Sequence, residues 1–210
     1  SRRQRQMCIR DRDTDVSVPA NQRWAGGLAE KIGSSEWYAS VAVPELLKDM
    51  DQDSDEAMQA VNDVVATAKA AGKHWAATPA RERAEILNRA ADILAARRGH
   101  LMAVAGAETG KVLEQSDPEV SEAVDFCRYY ARRALELEFV DGGDFVPHAV
   151  TVVTPPWNFP LAIPTGTTVA PLATGSAVIH KPSPESRRCS TAVCEALWEA
   201  CLLYTSDAAD

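Results

Sequence analysis

The chain has 210 residues, of which 30 are acidic and 22 basic, for a formal charge of −8. Apolar residues make up 46% and charged residues 25%, which excludes the low-hydrophobicity profile of a disordered chain. The acidic balance argues against a nucleic-acid partner, which needs a basic stripe. Five cysteines without a CxxC pair indicate neither a disulfide scaffold nor a zinc site. The expectation is a soluble intracellular, cytoplasmic protein of the α/β or α class.

The two ends read as foreign. Residues 1–12, SRRQRQMCIRDR, are strongly basic and lack an apolar period, and CLLYTSDAAD, residues 201–210, follows a helix pattern with no stop signal. The tail can be encoded as TGT CTC TTA TAC ACA TCT GAC GCT GCC GAC. The reverse complement of that string, read two bases in, translates as RQRQMCIRD, which is Arg3 to Asp11 in order. The string resembles a transposon sequencing adapter. Both ends are therefore set aside from fold reasoning, and the remainder is expected to be a piece of a longer gene product.

Within the remainder, residues 13–54 form an N-terminal segment. Trp37 to Val43 reads as a short strand. The acidic run DMDQDSDE could bind metal, but reads better as a solvated loop before a helix, because carboxylates favour a helix N-terminus. Residues 55–138 read as helical. The first helix spans Asp55 to Ala71 and stops at Gly72. The second runs from Pro79 to Arg98 behind a Thr78 cap, with Ile86, Leu87, Ala90, Ile93 and Leu94 as its apolar stripe. A third covers Leu101 to Thr109 and ends at Gly110. The fourth starts at Asp117-Pro118, with Val120, Ala123, Val124, Cys127, Ala131 and Ala134 facing inward. Cys127 on that stripe reads as a core thiol.

Residues 139–200 change character. Gly142-Gly143 marks a turn, and Ala149 to Thr154 (AVTVVT) is a β-branched strand closed by Pro155-Pro156. A short helix follows between Pro164 and Gly175, then a strand at Ser176 to His180 and a helix from Glu185 to Ala200. This is the βαβα order of a parallel sheet, so the fold class is α/β. No Asp, Glu, Lys or Arg occurs from Phe145 through His180. Pro155, Pro156, Pro160, Pro164 and Pro171, with Gly166 and Gly175, interrupt that stretch, so it reads as a buried sheet core and not as a membrane span.

The loop TPPWNFPLAIPTG, Thr154 to Gly166, carries the candidate chemistry. Ligands of parallel sheets bind at the carboxyl ends of the strands. There the Asn158 amide could donate to a developing oxyanion. Taken from the residues alone, a structural loop fits better, with Asn158 capping the next helix and Trp157 packed in the core.

PPWNFPLAIPTG followed by VAPLATGSAVIHKPSPES resembles the aldehyde dehydrogenase superfamily, in which PWNFP precedes an Ala/Gly-rich helix and a strand ending in Lys-Pro. The resemblance covers roughly residues 55–200. It implies helices followed by the first βαβα part of a Rossmann-like sheet, an NAD cofactor and a small-molecule aldehyde substrate. By this resemblance Asn158 is the oxyanion-hole asparagine. Thr154, Pro156 and Trp157 line the cofactor near its nicotinamide ribose, and Lys181 binds the adenosine ribose hydroxyls. Many NAD-using members carry Glu three residues after that lysine. This chain has Pro184 there, flanked by Ser183 and Glu185, so Ser183 is a further cofactor candidate and NADP stays open. The usual Gly before the first strand is Ala149.

EVSEAVDFCRYYARRA, Glu119 to Ala134, and WAATPARERAEILNRAADILAARR resemble the L-glutamate γ-semialdehyde (1-pyrroline-5-carboxylate) dehydrogenases of proline catabolism. The alternatives are another aldehyde, such as succinate semialdehyde, or a non-catalytic nucleotide-binding protein. In the family the nucleophilic Cys and the water-activating Glu lie C-terminal of the Lys-Pro strand. Cys189 and Cys194 stand in the wrong place for that nucleophile, so this chain alone is expected to be inactive. The complete protein is expected to be a homo-oligomer with no metal.

Overall fold

A computed structural model describes residues 13–34, 36–43, 51 and 53–201. Of the two foreign-looking ends, residues 1–12 and 202–210 lie outside the described residues, as does most of the DMDQ part of the acidic run, whereas Cys201 continues the last helix. The described chain is a helical layer followed by the start of a parallel sheet. Helix α1 spans Pro19–Ser34 and the short α2 spans Glu36–Ser40. Then come α3 (Asp55–Ala77), α4 (Ala80–Ala96), α5 (Arg98–Thr109) and α6 (Leu113–Glu136). Strand β1 (Val150–Val153), α7 (Ala162–Thr174), β2 (Ala177–His180) and α8 (Arg187–Cys201) complete it.

The acidic stretch ends as a helix start. The Ser54 hydroxyl accepts the Ala57 N–H at 3.1 Å, and Asp55 and Glu56 occupy the first turn, where the helix dipole favours them. Contrary to the sequence expectation, α3 does not stop at Gly72. A glycine in a helix interior costs about 1 kcal/mol relative to alanine, which makes it look like a terminus. Here it is a contact point. A Cβ on Gly72 would lie 2.7 Å from the Ala149 carbonyl oxygen and 3.0 Å from the Ala177 Cβ, so only glycine lets α3 lie on both strands.

Two further expectations are corrected. Trp37 to Ser40 is helical and not a strand; Trp37 packs against His100 with the Lys31 ammonium over its ring. Helix α6 starts four residues before Asp117 and continues across Pro118. Asp117 does not cap a helix. Its buried carboxylate accepts the Thr14 N–H at 2.6 Å and the Thr14 hydroxyl at 3.0 Å, and pairs with Arg98. The boundary between α3 and α4 also differs slightly. Thr78 closes α3, its N–H donating to the His74 carbonyl, and Pro79 stands at the entry of α4. By contrast, Gly110 and Gly175 end α5 and α7 in left-handed conformation, at φ +69° and +95°.

The core lies where α4, α5, α6, α7 and α8 meet. Leu87, Ala90, Leu94, Leu101, Val104, Val120, Cys127, Leu161, Val169 and Val193 are fully buried in it. Small residues let the helices approach closely: a Cβ on Gly166 of α7 would lie 2.7 Å from the Phe126 ring of α6. Strands β1 and β2 pair in parallel, with Val150 opposite Ala177 and Val153 opposite His180. A hydrogen bond of 2.9 Å from Lys181 N to the Val153 carbonyl extends the ladder one residue past the end of β2. Among the described residues no helix is long and apolar enough to cross a membrane.

Candidate functional site

The parallel register brings the two candidate segments together. Thr154 and Lys181 leave the carboxyl ends of neighbouring strands, joined by the bond between Lys181 N and the Val153 carbonyl. This is the edge at which parallel sheets bind ligands. A groove of about 830 Å³ runs along β1, lined in part by Thr151, Thr154, Pro156, Tyr130, Ile163 and Thr167. Thr154 and Pro156 therefore both border the groove. Trp157 and Asn158 stand on the loop beyond it, and Lys181 and Ser183 follow β2 outside the groove.

The loop is not the structural cap that its residues alone suggest. Trp157 is 50% exposed and so is not a core side chain. Asn158 does not cap α7. That role belongs to Glu119 of α6, whose Oε2 accepts the Leu161 N–H at 2.9 Å and the Ala162 N–H at 3.2 Å. Among the described residues the Asn158 side-chain amide has no hydrogen-bond partner, while its backbone carbonyl accepts from Lys111 Nζ at 2.7 Å. An exposed amide with unused donors, on a proline-flanked loop at a strand end, is free to bind a ligand oxygen.

Lys111 and Glu119 are the functional-site neighbours that motif reading missed. Their side chains form an ion pair and are only 11% and 3% exposed. The Lys111 ammonium also stands 4.5 Å from the centre of the Phe159 ring. A buried pair persists only when further hydrogen bonds satisfy it, as the Leu161, Ala162 and Asn158 backbone groups do here; losing one partner of such a pair costs about 3–5 kcal/mol. A signal was present in the sequence. Glu119, Ala123 and Cys127 are spaced by four, so a carboxylate lies in line with the buried face of α6.

On the β2 side, the Lys181 side chain is exposed. The Ser183 hydroxyl donates to the Glu185 carboxylate. That bond, a backbone hydrogen bond and the nearby Lys181 charge hold the Glu185 carboxyl below its ordinary pKa. Pro184 stands three residues after Lys181, and the acidic group one residue further on is engaged by Ser183. His180, the last residue of β2, shares a hydrogen bond of 2.8 Å between its Nδ1 and the Thr168 hydroxyl, and burial lowers its pKa to about 4. It is a neutral structural side chain near pH 7.

Among the described residues Cys127 and Cys189 are buried in the core, and Cys194 is half-buried. Burial pushes the thiols of Cys127 and Cys194 up to about 12, and burial with the neighbouring Glu108 carboxylate raises that of Cys189. Glu108 is otherwise occupied at the start of α8, where it accepts the Arg188 and Cys189 N–H groups at 2.8 and 2.7 Å. None of these thiols is poised as a thiolate nucleophile.

A sequence model of the Aldehyde dehydrogenase family matches residues 41–202. A 1-pyrroline-5-carboxylate dehydrogenase of Anoxybacillus flavithermus is 43% identical over 129 residues, 56% of this chain and 25% of its own length. Proline utilization A from Corynebacterium freiburgense is 36% identical at a TM-score of 0.66, over 90% of this chain and 18% of that one. A Thermus 1-pyrroline-5-carboxylate dehydrogenase with bound NAD is 35% identical at a TM-score of 0.58, over 63% of this chain and 28% of that one. The chain thus spans about a quarter of the length of the curated relatives it matches. Over that span, the chain belongs to the aldehyde dehydrogenase family.

Proposed function

We propose that this chain is the N-terminal part of an NAD(P)-dependent aldehyde dehydrogenase that oxidises L-glutamate γ-semialdehyde to glutamate in proline catabolism. The observation that carries this is the exposed Asn158 amide, without a hydrogen-bond partner among the described residues, on a loop held by Lys111 and Glu119 at the carboxyl end of β1. The substrate assignment is supported by relatives named 1-pyrroline-5-carboxylate dehydrogenase and proline utilization A.

In this reading Asn158 Nδ2 donates to the aldehyde oxygen as negative charge builds there. A fixed neutral donor needs no reorganisation at that moment and is worth about 3–4 kcal/mol of transition-state stabilisation. The residues present also fit a nicotinamide dinucleotide. An exposed ammonium at the end of β2 suits ribose hydroxyls or a phosphate, and Thr154 and Pro156 give the adjoining strand end a hydroxyl beside an apolar surface. Trp157 and Ser183 flank those two positions. The cofactor, when bound, supplies the hydride acceptor. With Glu185 held by Ser183, a 2′-phosphate and a free 2′-hydroxyl are both acceptable on this side.

Residues 55–138 then form the helical part of the cofactor domain and 139–200 open its Rossmann-like sheet, in a cytoplasmic homo-oligomer. The nucleophilic Cys and the Glu that activates water come from residues C-terminal to this span. Sequencing the source DNA across codon 200 tests this. A frame that runs on to a Glu and a Gly-Gln-x-Cys-like motif supports an enzyme. A frame that stops at Asp210 leaves nucleotide binding only. Assay of the complete protein tests the substrate, and faster oxidation of succinate semialdehyde than of glutamate semialdehyde would overturn that part.

A further inference from the structure

We propose that Lys111 and Glu119 are positioning residues: a buried ionic clamp that fixes the Asn158 loop, and so aims its amide. The inference deepens the proposed function and rests on it for the catalytic consequence. Three observations carry it. Among the described residues, no backbone–backbone hydrogen bond outside helices and strands has a partner within residues 154–160, so the loop lacks a ladder of its own. Glu119 closes the far end of the loop by accepting the Leu161 and Ala162 N–H groups. Lys111 holds its middle, donating to the Asn158 carbonyl while paired with the Glu119 carboxylate and seated over the Phe159 ring.

The arrangement separates two tasks within one residue. The Asn158 backbone is tied to the clamp, and its side-chain amide has no hydrogen-bond partner among the described residues. Fixing the carbonyl fixes the peptide plane that follows Asn158 and restricts where its Cα and side chain can go. The clamp reaches the loop from α6 and from the turn after α5, both packed on the main core, so the loop inherits the rigidity of the helical layer. A donor displaced by a fraction of an ångström loses much of its value to a developing oxyanion.

The test uses the complete protein carrying this segment, with Lys111→Met, Glu119→Gln, Glu119→Ala and Asn158→Ala. Lys111→Met is expected to lower kcat by about 10- to 100-fold while the KM for NAD stays within error. Combined with Asn158→Ala it should cost nothing further, because both act through one amide. Glu119→Gln retains an oxygen acceptor for the two N–H groups and should keep more activity than Glu119→Ala. The charge-neutral double variant Lys111→Met/Glu119→Gln covers the case in which a single unpaired charge prevents folding. Native kcat in Lys111→Met, or losses that multiply with Asn158→Ala, would overturn the positioning role. Amide hydrogen exchange gives a readout independent of turnover. Glu119→Ala should speed exchange at Leu161 and Ala162 and leave β1 protected; unchanged protection there would overturn the clamp. A native protein without aldehyde oxidation would overturn the proposed activity, and faster exchange in Glu119→Ala would still support the clamp.

Discussion

Gly72 and Ala149 meet so closely that a methyl group on the glycine would lie 2.7 Å from the alanine carbonyl oxygen. The contact sets the distance between α3 and the strands that carry the candidate site. Gly72→Ala would gain helix propensity, worth about 1 kcal/mol, but must push backbone against backbone. We expect a net loss of about 1–3 kcal/mol in the complete protein, read as a lower urea midpoint at unchanged m-value. A stabilised variant would mean that α3 can lift off the sheet without cost.

His180 gives the fold a pH dependence with a definite sign. Burial lowers its pKa from 6.5 to about 4. Between those values the unfolded chain binds a proton that the folded chain does not, so stability is fully present above about pH 6.5 and falls as pH drops towards 4. His100 acts in the same direction, lowered by burial and then by the Arg97 charge. The His180 contribution is at most about 3 kcal/mol. Urea midpoints of the native protein and His180→Gln, compared at about pH 7.5 and pH 5, should show a smaller pH-dependent drop in the variant. Equal drops in both would remove His180 as the cause.

The thiols of Cys127, Cys189 and Cys194 should react slowly in the folded protein, the first two buried in the core and the third half-buried. With Cys127 and Cys194 pushed up to about 12 and Cys189 raised by burial and Glu108, almost no thiolate exists at pH 8. Iodoacetamide should label them at least about tenfold more slowly in the folded protein than in urea, as mapped by peptide mass spectrometry. Fast labelling of Cys189 in the folded state would point to an activated thiol where the structure has none.

The βαβα order and the glycine ends of α5 and α7 were legible in the sequence, because β-branched runs, prolines and left-handed glycines act locally. So was the core stripe of α6, from Val120 to Ala134. What local signals misread was decided by distant contacts. Gly72 looked like a stop and is a packing contact with Ala149 and Ala177. Asp117 looked like a cap, but its partners are Thr14 and Arg98. The aromatic and β-branched run at Trp37 looked like a strand, yet Trp37 is helical and packs on His100. At the candidate site, the motif pointed to Asn158 and Lys181, and the register of β1 and β2 puts their segments at one edge. The clamp beneath was not read, since nothing local joins Lys111, Glu119 and Asn158 across 47 positions of chain.

The most direct test of the central claim is the turnover number of the complete protein and of its Asn158→Ala variant, followed as glutamate γ-semialdehyde-dependent reduction of NAD. The account predicts a kcat lower by about 10²–10³ in the variant, with NAD binding retained, because only the donor to the developing oxyanion is lost. A variant that turns over at the native rate would contradict the assignment of Asn158 as that donor.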